Sequence, residues 1–275
     1  MAERRTAFIT GAASGIGRAT ARLFAAKGWF VGAADTNRAG LDALEQELGA
    51  DCCATWQLDV TDKAAFDRVI AEFGERTGNR MDLLHNNAGI GAAGFFEDIP
   101  LERALQMVQV NLVGVIHGIY AALPLLKNTP NSLCFSTSSS AATYGAPSLA
   151  VYAATKFAVK GLTEALSVEL SRAGVRVADV LPGLIDTNIL VDTPRYLVGR
   201  RVDVPAVPVG ASAPTEGPFR LVSPDEVAEA VWNAYGSDRV HWYVPAEIEE
   251  IDKLKAQSVE AIRNARIAAL EAPAG

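Results

Sequence analysis

The chain has 275 residues, 49% of them hydrophobic and 21% charged, with a formal net charge of -7. That composition suits a packed globular protein and excludes a disordered one. The length allows one large domain or two small ones, and the acidic balance repels phosphate backbones, which sets nucleic acid aside as a partner. The most lipid-like run, Leu112 to Leu126, falls short of the ~18–20 residues of a membrane span, contains His117 and is interrupted by Pro124. Met1-Ala2-Glu3-Arg4-Arg5 leads into a glycine-rich turn instead of a signal-peptide core. Cys52 and Cys53 are adjacent and Cys134 is distant, which matches neither a disulfide framework nor a metal-ligand spacing. These bounds predict a soluble, cytoplasmic protein with one core, no metal, and no membrane partner.

Short apolar runs alternate with helical patterns from the start. Strands are predicted at Thr6–Thr10, Trp29–Ala34, Cys53–Gln57 and Met81–His85, separated by helices at Gly15–Lys27, Arg38–Leu48 and Lys63–Arg76. A long helix follows from about Leu101 to Lys127, and then strands at Ser132–Thr137 and Val175–Leu181 flank a helix over Leu149–Arg172. Such alternation calls for an α/β fold, a doubly wound parallel sheet with helices on both faces. Between Pro182 and Pro224 the texture changes: the stretch holds 7 of the 13 prolines and few helix signals. Loops this long tend to be lids or binding loops. A helix with Ser223 as cap and Pro224 in its first turn follows, then a strand at Val240–Val244. From Ala246 to about Leu270 a charged, thinly amphipathic pattern predicts one long terminal helix.

Directly after the first strand stands Thr10-Gly11-Ala12-Ala13-Ser14-Gly15-Ile16-Gly17. Glycines here permit a tight turn, a close backbone approach to a pyrophosphate, and tight helix–strand packing. The helix that starts there offers free N–H groups and the positive end of its dipole. Asp35 ends the second strand, 24 residues after Gly11. A carboxylate at that point can accept both ribose hydroxyls of an adenosine and repel a 2′-phosphate, by roughly 1–4 kcal/mol per charge at ~4 Å. The cofactor this selects is NAD. Arg38 nearby softens the selection, and the plainer alternative for Asp35 is a cap for the next helix.

Further motifs arrive in order: Asn86-Asn87-Ala88-Gly89, Asn111 in the long helix, Ser136-Thr-Ser-Ser-Ser140, Tyr152-Ala-Ala-Thr-Lys156, and Pro182-Gly183 with Thr187. Together with Thr10-Gly-x3-Gly-x-Gly17 they resemble the short-chain dehydrogenase/reductase family, over roughly residues 5 to 245. The resemblance implies a single Rossmann domain over residues 1–245 that includes a substrate loop at 182–224, with 246–275 as a helical extension. It also implies a catalytic set of Asn111, Ser139, Tyr152 and Lys156. Cofactor contacts would come from Gly11, Ser14, Gly15, Ile16, Gly17 and Asp35, then Asp59, Val60, Asn87, Ala88 and Gly89. Tyr152, Lys156, Pro182, Gly183, Ile185 and Thr187 complete that set on the nicotinamide side.

The residues support that chemistry. Tyr152 and Lys156 are four apart on a helix and share a face. Lowering a phenol from pKa ~10 toward ~7 needs about 4 kcal/mol, which one ammonium at ~4 Å can supply at an effective dielectric near 20. Tyr152 can then act as acid and base. Ser139 lies 13 residues before the tyrosine, the family's spacing, and strand alternation turns Ser138 and Ser140 the other way. By resemblance Asn111 holds a water that connects Lys156 to solvent; its plainer role is a buried amide satisfying backbone groups. Ala142 departs from the family, where a glycine is common. His85 reads as a packed or hydrogen-bonded histidine, and His117 and His241 have no partner visible in the sequence.

The pocket walls are expected from Ile90–Phe96, from Tyr144 and Leu149, and from Leu184, Ile185, Ile189, Leu190, Val191, Tyr196, Leu197 and Val198. They predict a mainly apolar secondary alcohol or ketone as the small-molecule substrate. Arg195, Arg200 and Arg201 are either acid-group binders or solvated loop charges. A ketone reductase running the other way, or a non-enzymatic NAD sensor, are the competing readings. The resemblance further implies a homodimer or homotetramer built on the two long helices.

Overall fold

The computed structural model describes residues 4–202 and 214–260, together with 263–264 and 267. Seven strands form one parallel sheet: β1 (Thr6–Thr10), β2 (Phe30–Asp35), β3 (Cys53–Gln57), β4 (Leu83–Asn86), β5 (Leu133–Thr137), β6 (Arg176–Pro182) and β11 (His241–Val244). Across the sheet they run β3-β2-β1-β4-β5-β6-β11. The central strands are mostly apolar because both faces are covered; every residue of β1 and β5 is buried, including the polar Thr6, Thr10, Ser136 and Thr137. The covering helices are α1 (Gly15–Ala26), α2 (Arg38–Leu48), α3 (Lys63–Thr77), α4 (Leu101–Val108), α5 (Gly114–Lys127), α6 (Ala150–Glu169) and α8 (Pro224–Tyr235). Strand order reverses between β1 and β4, and a crevice opens there at the carboxyl ends of the strands.

Helix starts follow local chemistry. Asn37 accepts from the Gly40 N–H at 3.0 Å and Asp62 from the Ala65 N–H at 2.9 Å, capping α2 and α3. Ser223 caps α8 with Pro224 in its first turn, as the sequence predicts. On one face of the sheet Phe24 meets Trp29 edge-on at 4.9 Å and Trp232 at 5.2 Å. On the other, Phe8 packs against Phe73 at 5.3 Å.

Three sequence expectations are corrected. The long helix is not one α-helix: Gln109–Val113 form a π turn between α4 and α5. Taken through that turn, Leu101–Lys127 runs 27 residues at mean hydropathy 1.5, so by length and composition it reaches the range of a membrane span after all. Its inner residues Val115, Ala122, Leu125 and Leu126 are buried in the core beneath the sheet, as in a core helix. The long loop expected after Pro182 carries short elements of its own. It holds β7 (Leu184–Ile185), α7 (Asn188–Asp192), the hairpin β8 (Arg195–Leu197) with β9 (Arg200–Val202), and β10 (Leu221–Val222), which pairs with β7. The proline-rich tract 205–214 lies outside the described residues up to 213. The terminal helix is interrupted: α9 (Ile248–Gln257) ends where Ser258 turns extended, at φ -158 and ψ 111, and residues 259–260, 263–264 and 267 are helical again. Much of the predicted continuation to Leu270 falls outside the described residues.

Candidate active site

The β1–α1 turn is shaped by its glycines. Gly11 has φ 66 and Gly15 φ 51, the left-handed region that a side chain opposes. A Cβ on Gly17 would stand 2.2 Å from the Gly11 carbonyl oxygen, so Gly17 serves packing and does not border the crevice. Ser14 makes no side-chain cap, which leaves the first-turn N–H groups of α1 to an incoming anion. This cradle fits a dinucleotide's pyrophosphate.

Asp35 stands at the end of β2 on the crevice wall. Its carboxylate accepts from the Ala13 N–H at 3.0 Å and the Asn37 N–H at 2.9 Å, while Asn37 is the cap of α2. The carboxylate therefore braces the glycine loop as well as facing the crevice. Arg38 is committed elsewhere: it donates to Asp42 at 2.8 Å and to Thr55 at 2.7 Å and does not border the crevice.

The crevice continues along the strand ends as a cleft of about 1040 Å³. Gly11, Ser14, Gly15, Ile16 and Asp35 border one end together with Asp59 and Val60. Asn87, Ala88 and Gly89 form its floor, with Ser139, Tyr152 and Lys156 beyond them. Pro182, Gly183, Ile185 and Thr187 close the far side. The structure thus gathers every predicted site residue on one cleft except Gly17 and Asn111.

Asn111 is fully buried in the π turn, behind the wall. Its Oδ1 accepts from the Ile90 N–H at 2.8 Å; its Nδ2 donates to the Ile90 carbonyl at 2.9 Å and to Thr155 at 3.3 Å. The side chain is spent on the loop backbone, the plainer of the two expected roles. A π turn shifts one residue out of helical register, and such turns occur often at functional sites.

Lys156 is buried, and its Nζ donates to the Thr137 carbonyl at 2.8 Å. Burial lowers its pKa to about 8. The ammonium sits 5.6 Å from the Tyr152 ring centroid. The Tyr152 hydroxyl departs from expectation: burial pushes its pKa up, and the hydrogen bond with Ser139 opposes that only in part. Loss of water around a phenolate outweighs the stabilisation that one hydroxyl partner supplies. Ser138 faces the other way, donating to the Lys156 carbonyl at 2.9 Å, so alternation singles out Ser139 for the phenol.

Thr137 also joins the lysine to the glycine loop. Asn87 Nδ2 donates to the Thr10 and Gly11 carbonyls at 3.1 and 3.3 Å, which fixes its amide. Its Oδ1 accepts from the Thr137 hydroxyl at 3.1 Å. That hydroxyl must then accept from His85 Nε2, 2.9 Å away, so Nε2 carries the proton. Complete burial lowers the His85 pKa to about 3, keeping the ring neutral.

The chain's likeness to known proteins agrees with this geometry. The short chain dehydrogenase family model matches residues 5–195. The chain belongs to the short-chain dehydrogenase family. It is 32% identical over 231 residues to a 3-oxoacyl-[acyl-carrier-protein] reductase of Thermotoga maritima, covering 83% of this chain and 89% of that one. It is 35% identical over 238 residues, 82% of its length, to a probable oxidoreductase of Mycobacterium tuberculosis, EphD, of which it spans 38%. Among solved structures, a Burkholderia phymatum short chain dehydrogenase/reductase in complex with NAD matches at TM-score 0.78 and 27% identity, covering 95% of this chain and 96% of that one. A Thermococcus sibiricus alcohol dehydrogenase complexed with 5-hydroxy-NADP matches at TM-score 0.72 and 27% identity, over 88% and 95% of the two chains.

This short-chain dehydrogenase has a cleft residue, and histidine contacts outside the cleft, that the sequence does not disclose. Phe219 reaches the cleft from the proline-rich stretch and meets Tyr144 edge-on at 6.0 Å. It is exposed, and no periodicity around it marks it for the cleft. His241, solitary in the sequence, lies 2.7 Å from Asp179 and 3.2 Å from Glu164. His117 meets the Val60 carbonyl at 3.0 Å. All three contacts join distant parts of the chain, beyond the reach of local pattern.

Proposed function

We propose that this protein is an NAD-dependent oxidoreductase that interconverts a mainly apolar secondary alcohol and its ketone, with Tyr152 as the acid/base group. The observation that carries the reading is the meeting of Ser139, Tyr152 and Lys156 on one cleft whose other end holds Asp35 and the glycine cradle. Ser139 orients the substrate oxygen. Tyr152 takes the hydroxyl proton in oxidation and returns it in reduction. Lys156, fixed by Thr137, biases the phenol toward release. When bound, the nicotinamide accepts or donates the hydride and in its oxidised form brings a positive charge. Asp35 favours NAD, and Arg38, held by Asp42 and Thr55, does not compensate for a 2′-phosphate.

The substrate end supports an apolar ligand: Tyr144, Leu149, Ile189, Leu190, Tyr196 and Phe219 line it. A panel of secondary alcohols assayed with NAD and with NADP tests the reading. Reduction of NAD by apolar members is expected; preference for NADP refutes the Asp35 argument, and no turnover on any member favours a nucleotide-binding regulator. The reductase relative favours a second reading, net ketone reduction with the same residues, which the ketone panel with NADH tests.

The exposed side chains Leu101, Leu105, Tyr120 and Val168 on the two long helices support a homodimer or homotetramer, and light scattering in solution gives the mass. A cytoplasmic setting completes the proposal, supported by buried, unpaired Cys53 and Cys134, whose thiols burial pushes up to about 12.

A further inference from the structure

Of the three hairpin arginines, the structure brings one to the cleft. Arg195 borders the cleft, whereas Arg200 and Arg201 do not. The hairpin that carries it is held at both ends. Its turn, Val198-Gly199, has φ 50 and 68, the positive pair of a tight two-residue β-turn. Its first strand is tied to the β4–α4 loop: the Ala93 N–H donates to the Pro194 carbonyl at 3.0 Å, and the Tyr196 N–H to the Ala93 carbonyl at 2.8 Å. Gly94 in turn donates to the Ser148 carbonyl at 2.9 Å, just before the catalytic helix. Tyr196 packs against the buried cluster of Ala92, Ile99 and Met107, as do Ile90, Val151 and Tyr152, and the neighbouring Arg195 borders the cleft.

The charge of Arg195 is uncommitted. Among the described residues no carboxylate lies within ion-pair distance of it, whereas Arg18, Arg22, Arg38, Arg220 and Arg239 each pair with Asp or Glu. The cleft's own carboxylates, Asp35 and Asp59, stand at the glycine-loop end. Beyond Lys156, which is buried and bonded to Thr137, Arg195 is the one cation bordering the described cleft. The surrounding wall is apolar. A guanidinium in that position presents a planar fork to a carboxylate.

We propose that Arg195 makes the substrate site selective for an amphipathic alcohol or ketone: an apolar body that fills the wall, ending in a carboxylate held by Arg195. The inference rests on the oxidoreductase reading above and deepens it by assigning the far end of the substrate.

The test compares a medium-chain secondary alcohol bearing a terminal carboxylate with its primary amide and its methyl ester. Wild-type protein, Arg195→Gln, Arg195→Lys and Arg201→Gln are assayed with NAD. The carboxylate is expected to have the highest kcat/KM, by about tenfold over amide and ester, through a lower KM at similar kcat. Arg195→Gln is expected to erase that difference by raising KM for the acid alone, Arg195→Lys to keep part of it, and Arg201→Gln to keep all of it. Equal kcat/KM for acid and amide in the wild type overturns the proposal, as does an Arg195→Gln variant that weakens all three substrates alike. Thermal shift with the carboxylate compound in saturating NAD gives a second readout. Stabilisation lost in Arg195→Gln without turnover upholds the anion site while refuting the oxidoreductase reading; no stabilisation and no turnover overturns the anion site too.

Discussion

Lys156 and Thr137 are joined by a 2.8 Å hydrogen bond from the ammonium to the main-chain carbonyl, and the same threonine's hydroxyl donates to Asn87, which holds the glycine loop. One residue at the end of β5 therefore positions both the catalytic pair and the cofactor cradle. Thr137→Val removes the hydroxyl and keeps the carbonyl. Asn87 Oδ1 and His85 Nε2 then lose their buried partner, at about 1–3 kcal/mol each. NAD affinity is expected to fall at least several-fold while the pH dependence of kcat stays put, and Thr137→Ser restores affinity. Titration of NADH fluorescence checks this. A Thr137→Val protein with wild-type affinity removes the link from Thr137 to the cradle.

Tyr152→Phe retains the ring that packs against the Ala92, Ile99 and Met107 cluster and removes the proton donor. Turnover is expected to drop by about 10²–10⁴-fold with NADH binding unchanged. Ser139→Ala loses the partner of the phenol and is expected to cost less, about 10–100-fold. Steady-state kinetics alongside NADH titration separates chemistry from binding. Comparable losses in binding and turnover point to a collapsed cleft instead.

Asp35 carries two duties, and their separation is measurable. Asp35→Asn keeps an acceptor for one of the Ala13 and Asn37 N–H groups but removes the charge. The wild-type preference for NAD over NADP is expected to be at least tenfold and to shrink to a few-fold in the variant, as kcat/KM for NAD falls. A variant that keeps the full preference shows that selection lies elsewhere on the cleft wall.

What the sequence makes legible here are features with a local cause. Short apolar runs, Ala7–Ile9 and Leu133–Phe135, mark β1 and β5 because both faces of those strands are buried, and Ser223-Pro224 announces α8 because a cap and a first-turn proline act on the next few residues. The ordered motifs place Asp35, Ser139, Tyr152 and Lys156 on one cleft. Tertiary causes leave no such mark. Asn111 is visible as a residue, but the partners that its buried side chain bonds, Ile90 and Thr155, lie 21 and 44 residues away. Likewise α9 ends at Ser258 with no glycine or proline to announce it. The pKa of Tyr152 runs against the sequence expectation because burial is a property of the packed cleft.

Lys156 makes stability depend on pH in a direction that can be stated. Its pKa is lowered from 10.5 to about 8, so in that interval the unfolded chain holds a proton that the folded protein does not. Stability from this group therefore rises as pH climbs from 8 to 10.5, and below 8 the buried charge costs roughly 3 kcal/mol. Lys156→Met is expected to be inactive. Its Tm relative to wild type is expected to decline steadily between pH 8 and 10.5 as the wild type sheds its penalty, measured by calorimetry across that range. A constant difference across that range means that the buried lysine keeps its ordinary pKa.

The catalytic helix is also anchored from its far side. Lys160, one turn after Lys156 on α6, pairs with Asp252 of α9, and the Tyr243 hydroxyl donates to the same carboxylate at 2.8 Å. Both charged side chains are mostly buried, at 14% and 15% exposure. Burial and the Asp252 carboxylate push the Tyr243 pKa up, so Tyr243 remains a donor throughout the working range. Removing Asp252 strands a buried ammonium, a change that costs about 3–5 kcal/mol when complete and less here because some water reaches the pair. Asp252→Ala is expected to lower unfolding stability by about 2–3 kcal/mol, read from the urea midpoint. Lys160→Met with Asp252→Leu, which replaces both charges by apolar groups, is expected to recover most of that loss. Recovery by the double substitution identifies the stranded charge as the cause. A double variant as weak as Asp252→Ala instead assigns the loss to the packing of α9 against the end of β11.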